Sequence, residues 1–236
     1  MSDTTYSCPE CKDRGFILST DEHGYEYARP CKCRELKMAK ERLECSGLAR
    51  EFKTKTFENF DTCENLQLMD AKNTAMKFTE ELKNKNTENL PSLMLCGQVG
   101  AGKTHLGTAS SVRLIDSGTA VIYMGYRDEM TALKSKILDE EAYKKDIDRY
   151  KKAPVLFIDD FLKGKITESD VNIVYEIVNY RYNNNLPVIL STEKNLDDLI
   201  NFDEAIASRL IEMCRGYIIV FSGKELNYRL YSGKVA

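Results

Sequence analysis

The stretch that decides the fold is Gly97-Gln98-Val99-Gly100-Ala101-Gly102-Lys103-Thr104, a complete G-x-x-x-x-G-K-[ST] loop. Its glycines let the backbone curl so that successive N–H groups point at the β-phosphate of a nucleotide. In such a loop Lys103 reaches the β- and γ-phosphates, and the hydroxyl of Thr104 binds Mg²⁺. An apolar run at 93–96 precedes the loop and a helical stretch at 104–117 follows it, which together predict a strand, an anion-binding turn and a helix. A chance glycine-rich turn is the alternative, and the fit of both flanks argues against it.

The composition is that of an ordinary globular chain. Of the 236 residues, 42% are hydrophobic and 30% are charged, which allows one sizeable core and a small appendage. No apolar run approaches the roughly 20 residues of a membrane span, and residues 1–5 do not begin a signal peptide, so we expect a cytoplasmic location. Because the net charge is −3, any contact with nucleic acid has to come from a local basic patch.

Five of the eight cysteines lie within residues 1–45. In a cytosolic chain this density is typical of metal binding rather than of disulfides. A C-x-x-C pair and a C-x-C pair can place four thiolates around one Zn²⁺, with the ligands Cys8, Cys11, Cys31 and Cys33. The segment between the pairs predicts a hairpin that turns near residues 21–24, and so small a module needs a metal to be stable. A redox dithiol and unliganded cysteines are the alternatives, and Cys45 is a weaker candidate ligand than Cys33.

The rest of the chain predicts an α/β fold. Residues 34–48 are good helix formers that stop near Gly47, which divides the chain into a zinc-binding module at 1–35, a helical linker at 36–55 and a main domain at 56–236. Short apolar strands alternate with helices in the main domain, which favours a parallel sheet covered on both faces. The predicted strands are 93–96, 120–124, 155–158, 188–191 and 217–221, and the predicted helices are 64–83, 104–117, parts of 127–151, 168–182, 196–200 and 205–213.

Two acidic residues follow the predicted strand at 155–158. In a sheet that hydrolyses nucleotides, Asp159 at this strand tip binds Mg²⁺ together with Thr104, and Asp160 activates the attacking water. A solvated strand end is the alternative. Thr192 follows the strand at 188–191 and is a candidate sensor of the γ-phosphate, although a simple strand-end turn explains it equally well.

The segment from 126 to 152 is a candidate surface for single-stranded DNA. Cations along a nucleic-acid backbone with interleaved aromatic rings are what single-strand binding requires. The cations are Arg127, Lys134, Lys136, Lys144, Lys145, Arg149, Lys151 and Lys152, and the aromatic residues are Tyr126, Tyr143 and Tyr150. Acidic residues are mixed with them, so solvated amphipathic helices remain the alternative.

Residues 95–106 resemble the phosphate loop of the DnaC/DnaI-type helicase loaders, which are AAA+ ATPases related to the transposition helper IstB. Other segments agree with this resemblance: 56–60 is similar to an aromatic box ahead of the domain, 180–192 to the helix and strand before sensor 1, 207–210 to the arginine-finger segment, and 227–229 to a terminal Tyr-Arg element. The resemblance covers residues 45–236. The cysteine-rich front end is similar to the zinc-bearing module of the DnaI branch.

The resemblance implies an AAA+ P-loop core, with a parallel five-stranded sheet flanked by helices, that hydrolyses ATP with Mg²⁺. It implies that Arg209 is a finger reaching the ATP of a neighbouring copy, that Arg229 acts like a sensor-2 arginine, and that the ATP state controls self-association. The implied partners are a replicative DnaB-type hexameric helicase, on which the zinc module docks, and single-stranded DNA. The implied nucleotide-binding residues are Gly97, Gln98, Val99, Gly100, Ala101, Gly102, Lys103, Thr104, His105 and Arg229.

Two departures from the family pattern bear on hydrolysis. The usual sensor-1 Asn is absent, since the segment reads Ser191-Thr192-Glu193-Lys194, and the acid pair is Asp-Asp rather than Asp-Glu. These departures predict slow turnover rather than loss of ATP binding. An IstB-like ATPase that regulates DNA transposition and a nucleotide-binding adaptor with little hydrolysis are the alternative functions.

Overall fold

A computed structural model describes residues 6–44, 54–84 and 90–231. It begins with an antiparallel hairpin of β1 (Phe16–Thr20) and β2 (Glu26–Pro30). The carboxylate of Asp21 accepts the backbone N–H groups of His23 and Tyr25, at 2.9 and 2.8 Å, which closes the turn where the sequence predicts it. Within the described ranges, no helix is both long and apolar enough to cross a membrane.

Helix α1 (Lys32–Leu43) follows the hairpin directly and packs against the main domain. Its residue Leu43 is buried in the same hydrophobic cluster as Phe57 and Phe60. The helix begins two residues before the predicted start, and 45–53, where the rest of the predicted linker and Cys45 lie, is outside the described residues. The described part of the linker is therefore a packed helix, and the division of the chain at residues 35 and 55 stays a prediction.

The main domain alternates strands and helices, as the apolar pattern predicts. In chain order its elements are α2 (Leu66–Asn84), β3 (Leu93–Gly97), α3 (Lys103–Asp116), β4 (Val121–Gly125), α4 (Tyr126–Ser135), α5 (Glu140–Lys151), β5 (Val155–Phe161), α6 (Glu168–Asn183), β6 (Val188–Thr192), α7 (Leu196–Phe202), α8 (Glu204–Met213), β7 (Ile218–Phe221), a 3₁₀ turn (Lys224–Leu226) and α9 (Tyr228–Tyr231).

The five strands of the main domain form one parallel sheet in the order β4-β5-β6-β3-β7. Strand β6 lies between β3 and β5, so the carboxyl ends of these three strands are neighbours. That edge collects the glycine loop after β3, the acid pair in β5 and the end of β6, which is where parallel sheets bind ligands. The fold class predicted from the sequence is confirmed.

A hydrophobic core covers each face of the sheet. Alternate residues of β3 point to opposite faces, with Met94 and Cys96 in one core and Leu93 and Leu95 in the other. The first core packs helices α4 to α8 against the sheet, and the second packs α2, α3 and the aromatic segment near Phe57. Burial on both faces explains why the strands read as continuous apolar runs.

Candidate nucleotide-binding and hydrolysis site

The glycines of the loop are required by close backbone packing. Gly97 has φ +103°, and a Cβ there would lie 2.3 Å from the carbonyl oxygen of Phe221 in β7. Gly100 has φ +75°, and a Cβ there would lie 2.2 Å from Oδ1 of Asn227. Both positions combine a left-handed backbone with a contact that no side chain fits, so the loop curls only with glycine at these places.

The aromatic segment ahead of the main domain packs on the other side of the loop. A Cβ at Gly102 would lie 2.5 Å from the ring of Phe60. The ring of Phe60 stands edge-on to that of His105, with the ring centres 5.2 Å apart. Nε2 of His105 lies 2.7 Å from the carbonyl oxygen of Thr56, and burial lowers the pKa of this imidazole. His105 therefore attaches the aromatic segment to the first turn of α3.

Lys103 is buried within the loop, with 7% of its surface exposed. Its Nζ donates hydrogen bonds to the carbonyl oxygens of Gly97 and Gln98, at 2.8 and 2.7 Å. Burial lowers the pKa of Lys103, and the negative charges of Glu193 and Asp160 oppose this shift. The ammonium group thus lies inside the curl where a phosphate chain is expected. The remaining loop residues are Val99, which is exposed, and Ala101, which is buried.

Asp159 lies in β5 with 6% of its surface exposed, and three hydroxyl groups hold its carboxylate. Thr104 Oγ1 donates to Oδ1 at 2.9 Å, the hydroxyl of Ser191 donates to the same oxygen, and the hydroxyl of Tyr123 donates to Oδ2 at 3.2 Å. Burial raises the pKa of Asp159, and these hydrogen bonds act in the opposite direction. The two residues predicted to bind Mg²⁺ are therefore in contact, and their role with the ion stays a prediction.

The carboxylate of Asp160 has different partners from that of Asp159 and belongs to an ionic cluster. Its Oδ2 accepts a hydrogen bond from Nζ of Lys163 at 2.8 Å, and the same Nζ lies 3.1 Å from Oε1 of Glu193. The backbone N–H of Asp160 donates to Oγ of Ser191 at 2.9 Å, which links the ends of β5 and β6. The sequence pattern predicts the acid pair but not its partners Tyr123, Lys163 and Ser191.

The hydroxyl of Thr192 is held by backbone partners, and its role as a phosphate sensor stays a prediction. Thr192 is fully buried, its hydroxyl donates to the carbonyl oxygen of Phe161 at 2.8 Å, and it accepts the N–H of Lys194 at 3.1 Å. Because side chains alternate along a strand, Ser191 faces the opposite side of the sheet from Thr192 and contacts Asp159 instead. The simple strand-end role explains Thr192 better than the sensor role.

The two predicted arginines lie on different elements. Arg209 in α8 donates to its own helix at Ala205, and its guanidinium lies 5.4 and 5.7 Å from the rings of Tyr175 and Tyr182 in α6. Arg229 is exposed in α9, next to a residue whose N–H donates to the carbonyl oxygen of Gly100 at 3.1 Å. The structure thus places Arg229 near the loop and holds Arg209 against tyrosines.

The four predicted zinc ligands come together at the base of the hairpin. All their Sγ atoms lie within 4.8 Å of one another, with 3.7 Å between Cys8 and Cys31 and 3.3 Å between Cys11 and Cys33. A tetrahedron with Zn–S bonds of about 2.3 Å has S···S edges of about 3.8 Å, so the cluster fits Zn²⁺ with small adjustments. The N–H of Gly15 also donates to Sγ of Cys11 at 3.3 Å, as expected around a thiolate ligand. Zinc binding by these residues stays a prediction.

The candidate surface for single-stranded DNA is not formed as the sequence predicts. Tyr126 and Tyr150 are buried in the core, and the hydroxyl of Tyr143 donates to Glu176 at 3.0 Å, so their rings are not free to stack on bases. Several of the cations are held in ion pairs with acidic neighbours, as in Lys134–Asp170, Lys136–Asp146, Lys151–Glu176 and Lys152–Asp148. The aromatic positions belong to the apolar faces of α4 and α5, which is the solvated-helix alternative.

Comparisons with known proteins agree with this geometry. The family model described as "IstB-like ATP binding protein" matches residues 32–230. The phage-like element PBSX protein XkdC of Bacillus subtilis (strain 168) is 34% identical, over 95% of this chain and 86% of that protein.

Two solved structures show the same fold. The DnaC helicase loader has a TM-score of 0.60 at 23% identity, over 73% of this chain and 99% of that one. DnaI has a TM-score of 0.59 at 21% identity, over 73% of this chain and 92% of that one. The glycine loop, its buried lysine and the Thr104–Asp159 contact all fall within residues 32–230, which the family model matches. The chain therefore belongs to the IstB-like ATP binding protein family and is an AAA+ P-loop ATPase.

Proposed function

We propose that this ATPase loads a replicative DnaB-type hexameric helicase onto single-stranded DNA during replication initiation, with ATP binding and hydrolysis as the assembly switch. The observation that carries the proposal is the direct connection between two sites. A cysteine hairpin with exposed apolar side chains continues into α1, and α1 packs on the sheet that carries the nucleotide site. Such a chain couples a docking head to an ATP-dependent core.

The hairpin has the character of a docking surface. On one face of the hairpin Leu18 is 68% exposed and Phe16 is exposed, and on the opposite face Tyr25 is 72% exposed and Tyr27 is exposed. Exposed large apolar side chains on both faces of so small an element fit a site of protein interaction. In this proposal residues 1–35 form a zinc module that docks on the helicase, 36–55 connect it, and 56–236 form the ATPase domain.

Self-association through Arg209 completes the hydrolysis site in this proposal. An arginine supplied by a neighbouring molecule neutralises the charge that develops on the transferred phosphoryl group. Arg209 is held between two aromatic rings on α6, which fixes the position of its guanidinium on the surface of the core. ATP bound in one copy would then favour its contact with the next.

Single-stranded DNA is the second proposed partner, and its contacts differ from those predicted by sequence. Four cations of α4 and α5 remain exposed, namely Arg127, Lys144, Lys145 and Arg149. Cations without accessible rings contact phosphates rather than stacked bases, so we expect little dependence on DNA sequence and a steep fall in affinity with salt.

The test is a loading assay with the replicative helicase of the same organism. The full chain, with bound metal, is mixed with the helicase, ATP and circular single-stranded DNA, and helicase bound to the circle is measured after gel filtration. Loading should require ATP and should be lost in Leu18→Ser. If no complex with the helicase forms in any nucleotide state, the proposal is wrong.

Regulation of DNA transposition is the second candidate, because the matched family is the IstB-like one and the match at 32–230 does not include the hairpin. ATP-dependent binding to a transposase, without binding to a helicase, would favour it. A nucleotide-binding adaptor is distinguished from both by ATP turnover, which it would lack with and without DNA.

A further inference from the structure

Three carboxylates meet at the edge of the sheet that faces the phosphate loop. Asp159 and Asp160 come from β5, and Glu193 follows β6. A triphosphate is itself strongly negative, so these carboxylates need compensation beyond Lys103. Asp159 has a role as the predicted partner of Mg²⁺. The charges of Asp160 and Glu193 converge instead on Lys163, which the sequence analysis does not single out.

A tight turn after β5 brings Lys163 back over Asp160. Asp160 and Leu162 both have left-handed backbone, with φ of +56° and +59°, and the N–H of Lys163 donates to the carbonyl oxygen of Asp160 at 3.1 Å. Left-handed conformations are unfavourable for residues with a Cβ, less so for Asp than for Leu, and such strained residues cluster at functional sites. The turn therefore places the lysine at some conformational cost.

The ion pairs themselves do little for stability. The side chains of Lys163, Asp160 and Glu193 are 44%, 40% and 36% exposed, and ion pairs exposed to this degree contribute little to the free energy of folding. The hydrogen bond that Lys163 donates to Asp160 raises the pKa of Lys163, so the lysine stays protonated at neutral pH. Oδ2 of Asp160 accepts the hydrogen bond from Lys163, whereas Oδ1 of Asp160 has no hydrogen-bond partner among the described residues.

We propose that Lys163 is a positioning residue for ATP hydrolysis. Its ammonium group binds both Oδ2 of Asp160 and the carboxylate of Glu193, which leaves Oδ1 of Asp160 to accept a proton from the attacking water. In that step the water oxygen bonds to the γ-phosphorus, the bond from this phosphorus to the bridging oxygen of ADP breaks, and Asp160 takes the proton. The inference rests on the proposed water-activating role of Asp160 and is independent of helicase loading.

The test is steady-state ATP hydrolysis by the full chain, with nucleotide affinity measured separately by a fluorescent ATP analogue. Lys163→Ala should lower kcat by about tenfold or more, a part of the 10²–10⁴ that a general base supplies, with little change in KM. Lys163→Arg should restore most of the turnover, because it keeps the charge and the donor. Lys165→Ala removes an exposed cation two residues further along the same loop and should have no effect.

The variant Asp160→Asn separates the positioning role of Lys163 from the water-activating role of Asp160. In its background, Lys163→Ala should cause no further loss, because the lysine acts through the carboxylate. Undiminished turnover in Lys163→Ala, or a further loss on top of Asp160→Asn, would overturn the positioning role. A higher KM with unchanged kcat would also overturn it, because it would make Lys163 a phosphate-binding cation. If Asp160→Asn itself hydrolyses ATP normally, the base assignment fails first, whatever happens in the loading assay.

Discussion

The nucleotide site and the cysteine cluster are built by different physical means. Around the loop, buried residues such as Lys103 and Asp159 are held by backbone carbonyls, hydroxyl groups and close contacts to Gly97 and Gly100. The hairpin instead exposes nearly all its side chains, and four sulfur atoms come together at its base. The first site is preorganised by a hydrophobic core, whereas the second is too small to have one, so we expect a metal to stabilise it.

The strongest test of this difference is Lys103→Ala. We expect loss of both ATP binding and turnover, because no other described cation lies inside the curl of the loop. The zinc content should not change, since the cysteine cluster shares no side chain with the loop. Isothermal titration with ATP and a metal assay on the same sample check both statements. ATP binding that survives the substitution would contradict the loop assignment.

Arg209→Ala asks whether the nucleotide site is complete within one chain. We expect a fall in turnover on the order of 10³, the size seen for arginine fingers, with ATP affinity retained. The matched control is Arg215→Ala, which removes an exposed arginine just after the same helix. Activity should also rise with protein concentration in the unmutated chain only. Equal turnover in the variant would place the whole site in one molecule.

Cys11→Ser tests the cysteine cluster. We expect the bound zinc to be lost, because three thiolates hold it less well than four. Binding of structural zinc contributes about 10–16 kcal/mol in zinc-finger peptides. Hydrogen exchange should accelerate in β1 and β2 but not in the sheet, and ATP turnover should be kept. Cys63→Ser, at an exposed cysteine outside the cluster, is the control. Loss of ATP binding in Cys11→Ser would show that the regions are not independent.

Tyr123→Phe has the smallest expected effect and sharpens the account of the nucleotide site. The hydroxyl donates to Asp159, and a hydrogen bond to a charged group contributes about 1.5–3 kcal/mol, part of which water can replace. We expect turnover to fall about threefold to tenfold at limiting Mg²⁺ and less at saturating Mg²⁺. Tyr143→Phe removes a similar hydrogen bond, to Glu176, outside the site and should not change the Mg²⁺ dependence.

Most of the fold follows from sequence patterns, because buried parallel strands are short apolar runs that alternate with amphipathic helices. The end of β5 does not follow from them. The strand continues to Phe161 past an irregular pairing between Ile158 and Phe161, and the polar acid pair within it reads as a strand end. The sequence pattern also does not reveal that Tyr126 and Tyr150 are buried, because their helices carry many charges on the opposite face.

Within the site, the sequence motifs predict the residues that we expect to bind phosphate or metal, but not the residues that orient them. The Thr104–Asp159 contact follows from two separate patterns, the glycine loop that ends at Thr104 and the apolar strand that leads into Asp159. Ser191 and Tyr123 reach Asp159 only because β4, β5 and β6 lie side by side, and their spacing along the chain carries no signal. Lys163 reaches Asp160 through a left-handed turn that the sequence pattern does not predict. Strand alternation could have separated Ser191 from Thr192, since only one of two successive side chains can face Asp159.

The seating of α1 has a mechanical consequence. Its 12 residues span about 18 Å, with Cys31 and Cys33 at one end and Leu43 anchored in the core at the other. The helix packs on β4, the strand whose Tyr123 donates a hydrogen bond to Asp159. A tilt of α1 by about 10° about its anchored C-terminal end would move its N-terminal end by about 3 Å. We therefore expect the cysteine hairpin to move when the γ-phosphate is bound. Distance measurements between spin labels in the ADP and ATP states would detect this displacement.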